Sequence, residues 1–226
     1  MDFYKPDYLE DDFNNILVIL GEDCTLNYNA TTPTEISALI TQLDFKSNMK
    51  GLSDSTADIK VSKDNTIKKG DYITDSTDNV YLINWNPFTD VNCYHAQIQL
   101  CTSMLTIEYY YEGVLDSSGV LVTEATPTAP FVGYNDIAAD VYGFVQRIGT
   151  STFDGKTATV GIEQSQRIAF IVQYNDDTAD VEITHEFKYN NVQYMITDID
   201  YAQLNPSGDD GIITLYAQVL EGGRHT

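Results

Sequence analysis

A chain of 226 residues, 42% of them hydrophobic, is long enough to bury the core of one large or two small domains, which excludes disorder as the main state. The formal net charge of −22 at pH 7 means that the surface as a whole repels phosphate backbones, and this disfavours ordinary nucleic-acid binding. Sixteen Tyr and nine Phe, with many Val, Ile and Thr, favour β-strands, because such side chains pack well on a pleated surface.

The first periodic segment predicts a helix over about residues 7–20. Acidic residues occupy its first turn, Asp7 is placed to cap its start, and Gly21 stands where a helix commonly ends. We expect it to pack against a sheet or a neighbouring subunit. Its apolar side chains share one stripe: Leu9, Phe13, Ile16, Leu17 and Leu20.

The N terminus has no basic stretch followed by an apolar core, and no window approaches the roughly 20 apolar residues that a membrane span needs. These features favour a protein that is made and kept in a cytoplasm, without a membrane partner.

Residues 34–44 are compatible with two structures. Residues 32–35 (Thr-Pro-Thr-Glu) form a capping box followed by helical spacing, whereas Ile36, Ala38 and Ile40 alternate as in a strand. Residues 46–66 are rich in Ser, Asp, Lys and Asn and predict a loop that holds one short strand around Ile59.

From residue 69 the apolar pattern changes to a period of two, which is typical of strands. Tyr72 and Ile73, a polar turn over 75–79, and residues 80–83 (Val-Tyr-Leu-Ile) predict a β-hairpin. Further strands are predicted over 94–100 and 106–111. Residues 113–133 contain several Gly and Pro and predict either an extended projecting loop or hairpin, or simply a long connection.

The C-terminal part resumes strand alternation over 141–148, 158–162 and 167–174, and Asn175-Asp176-Asp177 predicts a turn. A second hairpin follows over 184–196, with its turn at Asn190 and Asn191. It resembles the hairpin over 72–83. In both places a long loop and a strand containing Ala-Gln come next, at 96–97 and at 217–218.

This similarity predicts a weak internal repeat of roughly 110 residues, which indicates two similar β units or two halves of one barrel. The domain assignment is therefore an N-terminal helix and arm (1–33), a first β unit (34–112), the projecting segment (113–133) and a second β unit (134–226). The expected fold class is mainly β, barrel-like or sandwich-like, with long loops and one N-terminal helix.

Catalytic motifs are not found in the sequence. Cys24, Cys93 and Cys101 match neither a disulfide framework nor a zinc module and are interpreted as reduced, half-buried packing residues. His95, His185 and His225 are far apart in sequence, and the chain has no Gly-rich phosphate loop.

Two weaker signals remain. Asp198 and Asp200 lie on one face of a predicted strand, but such pairs arise by chance among 34 acidic residues. Residues 117–119 (Ser-Ser-Gly) lack the strand–turn–helix context of a nucleophile elbow. We therefore expect no enzyme activity, no cofactor, and no catalytic, cofactor-binding or metal-binding residues.

Several short segments resemble head-closure proteins of tailed phages, also called stoppers or head–tail connectors. They are residues 68–73 (Lys-Lys-Gly-Asp-Tyr-Ile), 80–83, 98–105, 194–200 and 211–215. The resemblance covers roughly residues 34–220. The family pattern Cys-Asn-x-x-Leu is altered here, because Thr102 follows Cys101 in place of Asn.

The resemblance implies a barrel-like virion protein at the head–tail interface, assembled in the host cytoplasm. It would form a ring, as a hexamer or dodecamer, close the DNA channel after packaging and provide the tail attachment site. Its partners would be the portal or adaptor and the tail terminator or tail tube protein, with DNA passing through without sequence recognition.

Within this interpretation, residues 34–44 would form a strand. Residues 113–133 and 46–66 are the candidate projecting loops, and the helix is an interface or clamp element. The acidic charge would line a channel that DNA does not adhere to, although outward-facing carboxylates explain the composition equally well. The rivals are another neck or tail ring, such as a tail terminator or adaptor, and a receptor-binding or carbohydrate-binding module that uses Tyr side chains and Trp85.

Overall fold

The structure is a computed structural model that describes residues 6–27, 29–30, 32–42, 56–90, 92–115, 121–124, 132–148 and 167–220. The fold is mainly β with one N-terminal helix, which confirms the expected fold class. The predicted strand over 158–162, residues 117–119 and His225 lie outside the described residues.

The helix α1 spans Pro6–Leu20, and a short helix α2 spans Asp176–Ala179. The strands are β1 (Glu22–Leu26), β2 (Thr34–Gln42), β3 (Thr56–Ser62), β4 (Tyr72–Thr74), β5 (Val80–Ile83), β6 (Phe88–Thr89), β7 (Cys93–Leu100), β8 (Ser103–Leu115), β9 (Leu121–Glu124), β10 (Val132–Arg147), β11 (Arg167–Tyr174), β12 (Glu186–Tyr189), β13 (Val192–Leu204) and β14 (Gly211–Val219).

The first compact unit consists of Met1–Thr102 with Leu204–Ile212. Its strands pair in the order β3-β2-β1-β4-β5-β7, and β3 also pairs with β7, so that the sheet closes into a six-stranded barrel. Strand β6 adds to the edge of β7. The barrel interior is apolar and fully enclosed, as Ile59, Ile73 and Ile98 show with no exposed surface.

The second unit consists of Ser103–Gln203 with Ile213–Thr226. Its strands pair in the order β10-β11-β14-β13-β12-β8, and β10 also pairs with β8, which closes a second six-stranded barrel. Phe170, Phe187 and Ile196 fill its interior with no exposed surface. Residues 103–112, which the sequence assignment placed in the first β unit, belong to this second unit because β8 pairs with β10 and β12. Conversely, residues 204–212, which it placed in the second β unit, belong to the first.

The two barrels have the same strand connectivity. In the first, β1 pairs with β2 and β4, β2 with β3, β3 with β7, and β5 with both β4 and β7. The second barrel repeats every one of these pairings. Its strands equivalent to β1, β2, β3, β4, β5 and β7 are, in that order, β8, β10, β11, β12, β13 and β14. The predicted repeat therefore corresponds to two complete barrels of one topology.

The repeat extends to individual hydrogen bonds. The N–H of Gly70 donates to Ile83 O (2.8 Å) and that of Ile83 to Asp71 O (2.9 Å). At the equivalent place Thr184 donates to Ile196 O (2.9 Å) and Ile196 to His185 O (2.8 Å). Both turns have positive φ, with +95° at Gly70 and +84° at Thr184. Thus the turn that leads into β4 is repeated before β12.

The repeat also corrects the alignment of the Ala-Gln strands. The N–H of Cys101 donates to Val80 O, and the N–H of Leu220 donates to Gln193 O. Because Val80 and Gln193 are equivalent, Gln97 corresponds to Tyr216 and not to Gln218. The predicted alignment was two residues out, a shift that leaves each side chain on the same face of its strand.

Three local predictions have clear outcomes. Residues 34–42 form strand β2, in which Ile36 and Ala38 are buried, so alternation outweighs the capping box. The strand around Ile59 is β3. The turn predicted at 175–177 was wrong, because Asn175 caps helix α2 and its side chain accepts from the N–H of Thr178 at 3.0 Å. Asn favours turns and helix caps for the same reason, its short polar side chain.

Thr184 adopts a backbone conformation with positive φ, which glycine adopts readily. Because threonine is β-branched, this conformation is strained at Thr184. We predict that Thr184→Gly raises the free energy of unfolding by about 0.5–1 kcal/mol, the relief of strain exceeding the added entropy cost of glycine. Urea unfolding measures it. The control Gln146→Gly, at an exposed position in strand β10, should lower the free energy by about 1 kcal/mol. A loss for Thr184→Gly as large as the control's would contradict the assigned strain.

Candidate interaction surfaces

The cysteines singled out from the sequence are packing residues. Cys24 and Cys93 are buried, Cys101 is half-buried, and all three are free thiols. Burial raises the pKa of Cys24 to about 12, with nearby carboxylates adding to the effect, and burial alone raises the pKa of Cys101 to about 12. Thiols with such pKa values remain protonated and are poor nucleophiles and metal ligands.

The candidate acidic pair is held by its own backbone. The carboxylate of Asp198 accepts from the N–H of Ile199 (2.9 Å), and that of Asp200 accepts from the N–H of Ala202 (2.8 Å). His95 Nε2 lies 3.6 Å from Asp58 Oδ2, whereas His185 belongs to the other unit. Within the described ranges, no group of three or more His, Cys, Asp or Glu side chains is placed to hold a metal ion.

The residues 68–73 that carry the phage resemblance form the turn into strand β4. The carboxylate of Asp71 accepts from Asn27 Nδ2 (2.8 Å) and from the N–H of Lys68 (2.6 Å), while Asn27 Oδ1 accepts from the N–H of Tyr72 (2.9 Å). Burial raises the pKa of Asp71, and these hydrogen bonds oppose the rise without cancelling it. This motif therefore builds the barrel, and the resemblance it carries concerns the fold.

The segment 204–212 packs on this turn within the first unit. Lys68 Nζ lies 3.0 Å from Asp210 Oδ2, and Asn205 Nδ2 donates to Lys69 O (3.0 Å) and to Asp210 Oδ1 (2.8 Å). The hydrogen bond and charge of Asp210 raise the pKa of Lys68. Partial burial alone would raise the pKa of Asp210, but hydrogen bonds from Asn205 and Lys68 outweigh it, so that the pKa of Asp210 is lowered. Sequence reasoning missed this contact, because the residues are more than a hundred positions apart.

At the equivalent turn of the second barrel, His185 takes the place of Asp71. Its Nδ1 accepts from the N–H of Glu182 at 3.0 Å, as the Asp71 carboxylate accepts from Lys68. Burial lowers the pKa of His185, against the opposing charge of Glu182. The neutral imidazole is therefore the form that the folded barrel prefers, because a protonated Nδ1 cannot accept.

We predict that the second barrel loses stability as the pH falls from the unfolded pKa of His185, about 6.5, through its lower folded value, because the unfolded chain then binds the extra proton. His185→Asn keeps an acceptor for Glu182 and should flatten that loss between about pH 7.5 and about pH 5.5. Urea unfolding at both pH values, with unchanged protein as the control, measures it. An identical pH dependence in the variant would exclude His185 as its source.

Helix α1 buries only part of its apolar stripe. Phe13 and Leu17 pack with Cys93 and Leu39 on the first barrel. The expected packing of the helix on a sheet is confirmed, while Ile16 and Leu20 of the predicted apolar stripe remain exposed. The α1 face, as we call the exposed apolar surface that adjoins this contact, comprises Ile16 (43% exposed), Ile19 (76%) and Leu20 (67%).

The α1 face is a contiguous apolar surface. Ile16, Ile19 and Leu20 are three and four positions apart and therefore neighbours on the helix. No basic residue lies in the last turn. Apolar side chains clustered on a surface mark sites of protein association more often than single exposed ones do.

The segment 113–133 takes part in a β-hairpin. Strand β8 continues to Leu115 and pairs with β9, with Gly113 opposite Glu124 and Leu115 opposite Leu121. Strand β10 begins at Val132. Of the alternatives left open, the hairpin is therefore present, while residues 116–120 and 125–131 lie outside the described residues.

Exposed aromatic side chains are few among the described residues. They are Trp85 and Phe88 in the first unit and Tyr109 and Tyr201 in the second. Phe88 lies edge-on to His95, Tyr109 edge-on to His185, and Tyr201 edge-on to Tyr174. None of these three contacts is a coplanar pair, whereas Tyr109 also stacks with Tyr111, with 6.5 Å between the ring centroids and an angle of 22° between the ring planes.

Comparison with known proteins gives one informative match. Residues 128–218 match the family model YomX C-terminal domain, which is a phage-derived family. No curated protein matches the chain. In the described ranges, no helix is long and apolar enough to cross a membrane.

Two solved structures are similar at a low level. One is described as MrkH, a c-di-GMP-dependent transcription regulatory factor (8% identity, 98% of this chain and 85% of the other, TM-score 0.19). The other is a K. pneumonia MrkH complex with c-di-GMP (8% identity, 98% and 87%, TM-score 0.17). Scores this low support no inference, whereas the family match suggests a phage structural or morphogenesis protein.

Proposed function

We propose that the chain is a structural protein of a phage neck, which forms a ring between the portal or adaptor and the tail, closes the DNA channel after packaging and offers the tail its attachment site. The observation that carries the proposal is the α1 face, an apolar surface on a rigid barrel, in a chain whose C-terminal part is similar to a phage-derived family. The proposal assigns no enzyme activity and no cofactor to the chain.

A ring needs contact surfaces that differ on the two sides of each subunit, because every subunit touches a different part of its neighbour. The α1 face provides one such surface. It stands on helix α1, whose position is fixed by Phe13 and Leu17 against the first barrel. Burial of an exposed leucine or isoleucine contributes about 1.5–3 kcal/mol, and each subunit of a closed ring gains this contribution.

The net charge of −22 supports the same role. A channel wall that bears carboxylates makes no fixed contacts to DNA phosphates, so packaged DNA passes without exchanging its counterions for Lys or Arg. The partners on this proposal are further copies of the chain, the portal or adaptor, and the tail terminator or tail tube protein. The particle itself, assembled in the host cytoplasm, is the proposed location.

Electron microscopy of particles that lack this gene tests the proposal, with purified protein added back to the lysate. Filled heads that leak DNA and carry no tails, rescued by the protein, are the expected result. Intact tailed particles with only lost adsorption would contradict it. A receptor-binding module, the alternative that the exposed Trp85 and Phe88 favour, predicts that outcome.

A further inference from the structure

We propose that the second barrel carries a docking site for a β-turn of another protein, and that this turn presents a Lys or Arg beside an aliphatic side chain. The site is an open cavity of about 370 Å³, lined by Val181, Glu182, Ile183, Asp198, Ile199 and Tyr201. The inference goes beyond the neck role and does not depend on it.

The repeat indicates what such a cavity receives. Val181, Glu182 and Ile183 occupy the positions of Ile67, Lys68 and Lys69 in the first barrel, as the paired hydrogen bonds of the two turns establish. Val181 and Ile67 are both buried, at 2% and 4% exposure. The two turns thus present the same backbone outward.

In the first barrel that backbone is covered by a turn. Residues 205–210 include the sequence Asn-Pro-Ser-Gly-Asp, and Asn205 donates to the carbonyl of Lys69. Asp210 pairs with the Lys68 ammonium at 3.0 Å. One carbonyl acceptor and one charged side chain therefore hold a turn on this surface.

In the second barrel the charge is reversed. Glu182 replaces Lys68, and Asp198 adds a second carboxylate to the rim of the cavity. Ile183 is 53% exposed and Tyr201 is 45% exposed, so an apolar surface lies beside these charges. A complementary turn would place a cation against Glu182 and an aliphatic group against Ile183.

The acidic character of the chain argues for a different protein as the partner. The rim carboxylates of Glu182 and Asp198 attract a turn that presents a cation, and this chain has only 12 Lys and Arg against 34 Asp and Glu. We therefore assign the site to a second protein with a basic turn, and a second copy of this chain is an outcome that the test distinguishes.

The probe is a cyclised peptide copying residues 203–213 with Asp210→Lys, compared with the unchanged peptide. Amide chemical shifts of isotope-labelled protein follow binding up to about 1 mM peptide. We expect shifts at Glu182, Ile183, Asp198 and Tyr201, with the Asp210→Lys peptide binding at least about threefold more tightly, the gain of one exposed ion pair.

The reciprocal variant makes the test specific. Glu182→Lys should reverse the preference, so that the unchanged peptide binds more tightly. Asp136→Lys changes the net charge equally at an exposed position that does not line the cavity, and it should keep the original preference. Absence of shifts with both peptides, or an unreversed preference in Glu182→Lys, would overturn the proposal. Concentration-dependent shifts at the cavity in protein alone would overturn the choice of a second protein as partner.

Discussion

Replacing Gly70 by Ala should lower the free energy of unfolding of the first barrel by about 3 kcal/mol or more. We expect this loss to exceed that of any other small substitution in the turn that leads into β4. Two causes act together. Gly70 has φ of +95°, which L side chains rarely adopt, and an added Cβ would lie 2.2 Å from the carbonyl oxygen of Gly211. Backbone atoms cannot move aside as a side-chain end can, so the turn must separate from the segment 204–212.

The control for this prediction is Gly208→Ala. Gly208 also has positive φ, at +80°, but an added Cβ would meet nothing within 4 Å. This variant isolates the conformational cost, about 1 kcal/mol. Urea unfolding followed by far-UV circular dichroism measures both variants. Equal losses in the two would mean that the close approach of Gly70 to Gly211 contributes nothing to stability.

Charging the α1 face should abolish tail attachment while leaving the fold intact. We predict that Ile19→Lys with Leu20→Lys changes the free energy of unfolding by less than about 0.5 kcal/mol, because both side chains are exposed and Lys is favourable at a helix C terminus. Adding this variant to a lysate of gene-deleted particles should yield at least about tenfold fewer tailed particles than unchanged protein does, since two unpaired ammonium groups would be buried in each interface.

A matched variant separates a specific face from a general effect of charge. Met104→Lys with Val192→Lys adds the same two charges at exposed apolar positions of the second unit, and tail attachment should persist. If the α1 variant restored tail attachment as well as unchanged protein does, the α1 face would not be a contact surface of the ring. Equal failure of both variants would assign the loss to net charge.

Local patterns predicted much of the first barrel because the relevant signals lie close together in sequence. The hairpin of β4 and β5 follows from alternation on either side of a polar turn, and the structure explains that turn through Asp75, whose carboxylate accepts from the N–H groups of Thr77 and Asn79 at 2.8 and 2.9 Å. The second hairpin was predicted in the same way and has Asn190 and Asn191 at positive φ.

Contacts between distant residues could not be predicted in this way. The sequence around Gly70 does not predict the close approach of Gly211. The sequence around Lys68 likewise does not predict the ion pair with Asp210. The extent of the α1 face could not be predicted either. Periodicity identifies the apolar stripe of a helix, but it does not show how much of that stripe the barrel covers. Closure of two barrels required the pairings of β3 with β7 and of β8 with β10.

The strained turn at Thr184 shows how the repeat adds information that one copy lacks. Glycine at position 70 explains the positive φ there, and the equivalent hydrogen bonds identify Thr184 as the same position in the second barrel. Asp71 and His185 both accept a hydrogen bond from the N–H group three residues earlier, in equivalent turns of the two barrels. Their effects on stability at low pH are opposite. Protonation of Asp71 favours the folded state because its pKa is raised, and protonation of His185 opposes it because its pKa is lowered.

The most direct test of the neck assignment is cryo-electron microscopy of the neck of complete particles from the phage that encodes this chain. We predict density for several copies of the two six-stranded barrels, closed around the DNA channel between portal and tail, with the α1 face of each copy buried against a neighbour. Density for the chain at the tail tip, or its absence from the particle, would contradict the neck assignment.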